Sequence, residues 1–268
     1  MKIQQAFFLL LAILSLSANA QFQEGAPQGY GLAGLANGDI WAAYQNQAGL
    51  ASIEGVSAGV SYTNSFLIPE LGTGAVAVAV PFKKQTFAIS VRSFGYSLYN
   101  EGKYGLSYAR LLGENLRIGI QFNYQTLKIG EGYGNQNVFT VEGGVQYDVG
   151  EHVTLSAHVY NPNQSKVNDF EDERLPAIIR AGVRYTFNER LFAAADFWKQ
   201  IDQDPQLHAG LEYWVHPIVA LRAGISTAHF QSHFGLGVKA GQFQVDLSTA
   251  YHSILGYSPQ IALSFHGK

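Results

Sequence analysis

From Val56 to the end, the chain repeats one unit: a run of roughly ten residues alternating apolar and polar side chains, then a turn. Period two is the mark of a β-strand with two unlike faces. Over 116–125, Leu116, Ile118, Ile120, Phe122 and Tyr124 fall on one face, and Arg117, Gly119, Gln121, Asn123 and Gln125 on the other. The same holds over 139–148, 207–215, 243–252 and 260–266, where Phe139, Val141, Val145 and Tyr147, for example, oppose Thr140, Glu142, Gln146 and Asp148. Further strands are expected near 55–63, 73–81, 85–96, 102–110, 151–160, 177–187, 190–199, 218–226 and 233–240. The total is about fourteen, an even number, as a single-chain bacterial barrel requires.

The connections provide a second pattern. After even-numbered strands they are short and rich in turn formers: Phe82-Lys83-Lys84, Leu112-Gly113-Glu114, Val149-Gly150-Glu151, Asn188-Glu189-Arg190, His216-Pro217 and Gly241-Gln242. After odd-numbered strands they are longer on the whole, at 64–71, 96–101, 129–137, 161–176, 201–205, 228–232 and 253–257. That rhythm is expected of an up-and-down outer-membrane barrel with both termini in the periplasm.

A soluble sandwich or lipocalin-like barrel also alternates, but its polar face meets bulk water and is dense in Lys and Glu. Here the polar face is mostly Gly, Ser, Thr, Gln and Asn with isolated charges. The chain carries 29 Gly, 15 Tyr and 17 Phe, and its mean hydropathy is +0.00. An apolar outside, a polar inside and aromatic girdles at both interfaces account for that balance. Tyr62, Tyr96, Tyr104, Tyr124, Tyr147, Tyr185, Phe187, Tyr213 and Tyr251 stand near strand ends, where girdles belong.

Residues 1–20 have the form of a secretory signal peptide: Lys2, an apolar run over 7–16, and Ala18-Asn19-Ala20 as a small-x-small cleavage site. That run is too short to span a bilayer, and no later stretch approaches twenty apolar residues. No Cys follows the cleavage site, so a lipoprotein anchor is not expected. There is no Cys anywhere, which removes disulfides and thiolate metal sites. The formal net charge of -3 and the absence of a Lys/Arg block argue against nucleic acid as a partner. The expected division is a leader at 1–20, an N-terminal segment and candidate plug at 21–54, and an all-β transmembrane antiparallel up-and-down barrel at 55–268.

An ionised side chain on the lipid face at mid-bilayer costs about 2–4 kcal/mol. Parity therefore assigns Arg92, Arg117, Arg180, Arg184, Arg222 and Lys239 to the lumen, with Glu142, Asp196, Glu212 and Asp246. Arg110 falls outward by parity, but beside a short turn, where a long side chain can snorkel. The lumen charges can form a structural ladder or line a weakly anion-favouring passage, and single strands do not decide between the two. Trp198 and Trp214 also fall inward, to pack against the N-terminal segment or to line a hydrophobic path.

Residues 21–54 do not alternate. Gly29-Tyr30-Gly31-Leu32-Ala33-Gly34-Leu35-Ala36 is small and flexible; Asp39 then stands as a helix N-cap before Ile40, Trp41 and Tyr44 at helical spacing. Stretch 34–51 resembles the segment before the first strand in PorV/PorQ-type outer-membrane proteins and is more distantly similar to that of the FadL transporters. The family pattern there ends in Asn-Pro-Ala-Gly-Leu-Ala; Asn46, Ala48, Gly49, Leu50 and Ala51 match it, and Gln47 stands where Pro is usual. The resemblance implies a barrel of about fourteen strands and one of two roles. The PorV/PorQ likeness implies a non-enzymatic accessory or scaffold of type IX-like secretion, with secretion-machinery proteins as partners. The FadL likeness implies a passive channel for small hydrophobic solutes, closed by an N-terminal hatch.

Motifs for catalysis are missing from the sequence: no G-x-S-x-G, no H-E-x-x-H, no phosphate-binding glycine loop, and nothing that calls for a cofactor. His229 and His233 share a metal-pair spacing, but they flank a loop and lack an evident third ligand. Ser156 and His158 share a lumen face, with Glu142 or Asp246 as conceivable orienting acids, yet nothing in the sequence joins them. The acidic loop 168–174 is read as solvated, with cation-bridged lipopolysaccharide as the alternative; the glycine-rich loop 130–137 is read as mobile. Outer-membrane lipid and lipopolysaccharide are the surroundings such a surface implies.

Overall fold

The computed structural model describes residues 26–130, 134–166, 174–201, 203–227 and 230–267. The leader expected at 1–20, most of the acidic loop 168–174, the centre of the glycine-rich loop and His229 lie outside the described residues.

Fourteen antiparallel strands close into one barrel in which each pairs with its sequence neighbours and the last returns to the first. They are β1 (Ser57–Asn64), β2 (Gly72–Phe82), β3 (Gln85–Tyr96), β4 (Tyr99–Leu112), β5 (Leu116–Ile129), β6 (Gly134–Val149) and β7 (Val153–Tyr160), followed by β8 (Ile178–Asn188), β9 (Leu191–Gln200), β10 (Gln206–His216), β11 (Val219–Ser226), β12 (Gln231–Ala240), β13 (Phe243–His252) and β14 (Gly256–His266). Closure is made by β1 against β14, in a register running from Ser57 opposite His266 to Thr63 opposite Gln260. Closure leaves no sheet edge to be hydrogen-bonded in lipid, which is why a barrel can span a membrane.

The period-two pattern becomes an inside and an outside. Leu106, Phe122, Phe139, Leu207, Leu211, Leu247 and Ile261 are exposed on the outer wall, while Ser107, Gln121, Thr140, His208, Glu212, Asp246 and Gln260 are buried on the inner one. The nine expected girdle aromatics are all exposed outward. Arg110 is exposed at the short-turn end, where its parity placed it. No helix among the described residues is long and apolar enough to cross a membrane, which for a barrel is immaterial.

Short turns and both ends of the barrel sequence share one rim; longer connections share the other. Three of the tight turns close on a left-handed residue, Gly113 (φ 66°), Gly150 (φ 67°) and Gly241 (φ 62°), a conformation that costs glycine nothing. Strand extents differ from the sequence reading mainly at the long-loop rim. β6 begins at Gly134, so Asn135 to Asn137, assigned to a loop, are strand and pair with Lys128 to Thr126. Asn135, Gln136 and Asn137 are all polar, which erased the alternation that locates strands. β14 begins at Gly256, ahead of Pro259, a residue that argues against strand in a sequence.

Inside the barrel lie residues 26–53, the plug. It holds one turn of helix, α1 (Ala42–Gln45), followed by a 3-10 turn over Gln47–Ser52. The helix starts later than Asp39 implied: Asp39 Oδ1 instead accepts from the Trp41 N–H at 2.9 Å, fixing the bend that leads into α1. Leu35, Ile40, Ala43, Ala48 and Leu50 are completely buried, so the apolar core of this molecule is the plug and the small residues it touches. One such cluster joins Ile40, Trp41, Ala42 and Leu50 to Ala75, Ala77, Ala79, Ala88, Ala109 and Ala262 of the wall.

Candidate functional site

The plug follows a track of inward glycines around the wall. A Cβ on Gly119, Gly144, Gly210 or Gly224 would fall within bonding range of plug atoms at Gln47, Asn46, Tyr30 and Gly31 respectively; on Gly235 it would stand 2.9 Å from the Cα of Gly29. The sequence reading placed glycines on the polar face and gave these five no further role. At Gly119, Gly210, Gly224 and Gly235 plug backbone meets wall backbone, and at Gly144 the Asn46 side chain does, which only the path of the plug reveals.

Wall side chains hold the plug backbone at several points. Asp196 Oδ2 accepts from Leu35 N (2.9 Å). Gln146 Nε2 donates to the carbonyls of Leu35 (3.0 Å) and Asn37 (2.9 Å). Arg180 Nη2 donates to Gln45 O (2.8 Å), and Gln260 both donates to Ala26 O (3.0 Å) and accepts from Gln28 N (2.9 Å). Plug side chains reach the wall in return. Tyr44 Oη bonds the carbonyls of Val76 (2.6 Å) and Val91 (2.9 Å), which face each other across β2 and β3. Asn46 Nδ2 reaches Val145 O (3.2 Å) on β6 and Ala157 O (3.5 Å) on β7, while its Oδ1 accepts from Ala48 N (3.2 Å) and so caps the 3-10 turn. The matched residues Ala48, Gly49 and Leu50 form that turn. Gln47 Oε1 lies 3.1 Å from His158 Nε2, a contact a proline there could not make.

The ten lumen charges are all on the inner face, but they do not form one ladder across it. Arg222, Glu212 and Asp246 pair among themselves: Arg222 Nε lies 2.6 Å from Glu212 Oε2, and its Nη1 bonds Asp246 Oδ1. Glu142 is taken by Lys103 (2.7 Å) and His158 (3.3 Å), Arg117 by Asp148 and Ser52, and Arg92 lies 3.6 Å from Glu101. Arg180 and Asp196 serve the plug. Arg184 donates to Asn37 Oδ1 (3.2 Å), and its guanidinium carbon lies 3.7 Å from the Phe192 ring centroid. Lys239 is exposed at the short-turn rim. The sequence reading left Lys103 and Asp148 out of the lumen set although parity puts both inside; Glu101 fell in an expected loop, and His158 was set beside Glu142 only as part of a catalytic arrangement.

Trp198 and Trp214 face inward in opposite halves of the barrel. Trp198, near the long-loop rim, packs on His208 (ring centroids 4.3 Å) and under the Arg180 guanidinium (5.2 Å). Trp214, near the short-turn rim, donates from Nε1 to Glu212 (2.8 Å). They do not line one common path. Ser156 and His158 are not joined either: Nδ1 of His158 lies 2.7 Å from Arg180 Nη2, its Nε2 faces Glu142 and Gln47, and Ser156 Oγ has no hydrogen-bond partner. His233, which flanks the expected loop at the start of the expected strand 233–240, is a fully buried inward residue of β12. Among the described residues no three His, Asp or Glu side chains gather as a metal would need.

Where the plug turns away from the wall it leaves a cavity of about 270 Å³ at the short-turn rim, bounded by Tyr30, Trp41, Phe192 and Trp214 and by the charged groups of Asp39, Arg184, Glu212, Arg222, Lys239 and Asp246. Burial inside the barrel pushes the Asp39 carboxyl above the ordinary carboxylate range, against the opposing pull of the Trp41 N–H. In this chamber rings and charges converge beside the plug.

No family model matches the chain, and no curated relative matches it in sequence. Solved structures match its fold. The toluene transporter TbuX of Ralstonia pickettii superposes with a TM-score of 0.66 at 12% identity, over 92% of this chain and 99% of that one. The toluene transporter TodX of Pseudomonas putida gives 0.67 at 11% identity, over 91% and 99%. A FadL homologue of Pseudomonas aeruginosa gives 0.62 at 12% identity, over 91% and 98%. The chain thus shares a fold with outer-membrane hydrocarbon transporters.

Proposed function

We propose that this protein is an outer-membrane barrel for passive passage of small hydrophobic solutes, with the plug as its gate. The observation that carries the reading is a fourteen-strand barrel whose lumen is filled by its own N-terminal segment, leaving a ring-lined chamber at one rim. An apolar exterior supports insertion in lipid. The likeness in fold to toluene transporters supports passage as the task. Two sequence expectations belong to the same proposal: export by the leader at 1–20, and a short-turn rim that faces the periplasm while the longer loops meet lipopolysaccharide. The secretion-accessory reading, suggested by residues 34–51, draws no support from the comparisons.

Because the lumen is occupied, passage requires the plug to shift, and a steady ionic current is not expected from the resting protein. The test is uptake of labelled toluene by Gram-negative cells that lack hydrocarbon channels and express this chain. A several-fold increase over cells without it is expected. Uptake equal to the control, with the barrel correctly assembled, removes the transport reading.

A further inference from the structure

We infer that the chamber at the short-turn rim binds a small aromatic carboxylate, a ring bearing one anionic group. The inference deepens the transport reading by naming a solute class, and its binding test stands apart from transport.

Size comes first. A cavity of about 150 Å³ suffices for benzene, so 270 Å³ holds one ring with a substituent and is small for a long acyl chain. Tyr30, Trp41, Phe192 and Trp214 bound it, and aromatic walls favour a ring by edge and face contacts.

Charge comes second. The three carboxylates at the chamber are already committed. Glu212 accepts from Arg222 (2.6 Å) and from Trp214 Nε1 (2.8 Å); Asp246 accepts from Arg222 and from Gln244 (3.0 Å). Asp39 accepts from the Trp41 N–H, and burial favours its neutral form. Arg222 is spent on the same two acids. Two cations remain without an ion-pair partner among the described residues, Arg184 and Lys239. The Arg184 guanidinium lies over Phe192 with one nitrogen on Asn37, which leaves N–H groups at its edge. A guanidinium edge is suited to a carboxylate, which it can bind through two parallel bonds. The guanidinium lies over a wall ring that itself lines the chamber, so ring contact and anion contact are offered side by side.

The protein supplies its own readout. Of its three tryptophans, Trp41 and Trp214 line the chamber and Trp198 lies in the other half of the barrel. In a Trp198→Phe background the emission reports on the chamber. Titration of the detergent-solubilised protein compares two quenchers of one shape, 4-nitrobenzoate and 4-nitrotoluene. Saturable quenching by 4-nitrobenzoate at lower concentration than by 4-nitrotoluene is expected. Arg184→Gln should raise the 4-nitrobenzoate half-saturation point about tenfold or more, the usual effect of losing a charge-assisted bond. Lys239→Gln, a change at an exposed residue, should raise it by a smaller factor and leaves a test standing if the Arg184 variant does not assemble. Equal quenching by the two compounds, or quenching unchanged in both variants, overturns the inference. Toluene uptake without preferential 4-nitrobenzoate binding removes the carboxylate and keeps the channel; preferential binding without uptake does the reverse.

Discussion

Single residues decide two kinds of contact in this barrel. At Gly210 the wall backbone meets the carbonyl group of Tyr30 directly, and a side chain has no room. Gly210→Val should displace the plug at that point. Overpacking of this kind costs about 1–3 kcal/mol, and the variant should unfold at lower denaturant and yield the plug to protease in folded vesicles. Arg222 makes the opposite case, a charge whose removal harms through what it leaves behind. Its side chain is 4% exposed and neutralises both Glu212 and Asp246. Arg222→Met strands two buried carboxylates, for which a loss of about 3–5 kcal/mol is expected in denaturant unfolding from bilayers; adding Glu212→Gln and Asp246→Asn should restore part of it. Asp39 introduces a dependence on pH. Its folded-state carboxyl is held above the unfolded value of about 3.9. The stability it contributes is therefore complete below that value and is lost as pH rises through the folded one. Asp39→Asn keeps an oxygen for the Trp41 N–H but cannot ionise, so it should flatten the fall in unfolding midpoint as pH rises above about 4.

At the scale of elements, the plug is held by hydrogen bonds rather than by a long helix. Four residues of α1 could not stand alone, since isolated helices need about 12–15 residues to form even marginally. What orders them is attachment: Tyr44 to β2 and β3, Asn46 to β6 and β7, Arg180 to the end of α1. Each bond is worth about 0.5–1.5 kcal/mol. A Tyr44→Phe, Asn46→Ala pair should leave the barrel assembled but let the plug leave its track more often. Planar-bilayer recording should then show current bursts absent from the parent protein; an equally silent double variant would mean that other contacts suffice. The β5–β6 hairpin is a second element with its own logic. β6 runs to Gly134 while β7 ends at Tyr160 opposite Glu142, and its edge beyond that point is met by Asn161 N at Val141 O (2.9 Å) and Ser165 Oγ at Phe139 O (2.7 Å).

For the whole molecule the governing fact is inversion: apolar side chains outside, charges within. Leu247, 48% exposed halfway along β13, faces outward between Leu236 and Ile261. Leu247→Arg should destabilise the bilayer-folded state by about 2–4 kcal/mol if that face meets mid-bilayer lipid. Unfolding in urea from thin-lipid vesicles measures it, and a loss under half a kcal/mol would place Leu247 in water.

Strand number, strand phase and the two rims were legible before any coordinate because each is a local property. Alternation belongs to ten consecutive residues, and a tight turn to three or four. Parity sent Arg92, Glu142, Arg180, Asp196, Glu212 and Asp246 inward for the same reason, and all six side chains are buried. What parity could not give was company. Leu35 meets Asp196 across 161 residues and Gln28 meets Gln260 across 232, contacts that exist only because closure brings β9 and β14 to the same interior. The roles of the inward glycines, the separation of Trp198 from Trp214 and the chamber beside Arg184 all depend on the path of the plug, which has no periodicity to read. Local chemistry thus determined that the chain is a barrel and which face of each strand turns inward; only the folded whole decided what fills it, because filling is a matter of contacts between segments far apart in the chain.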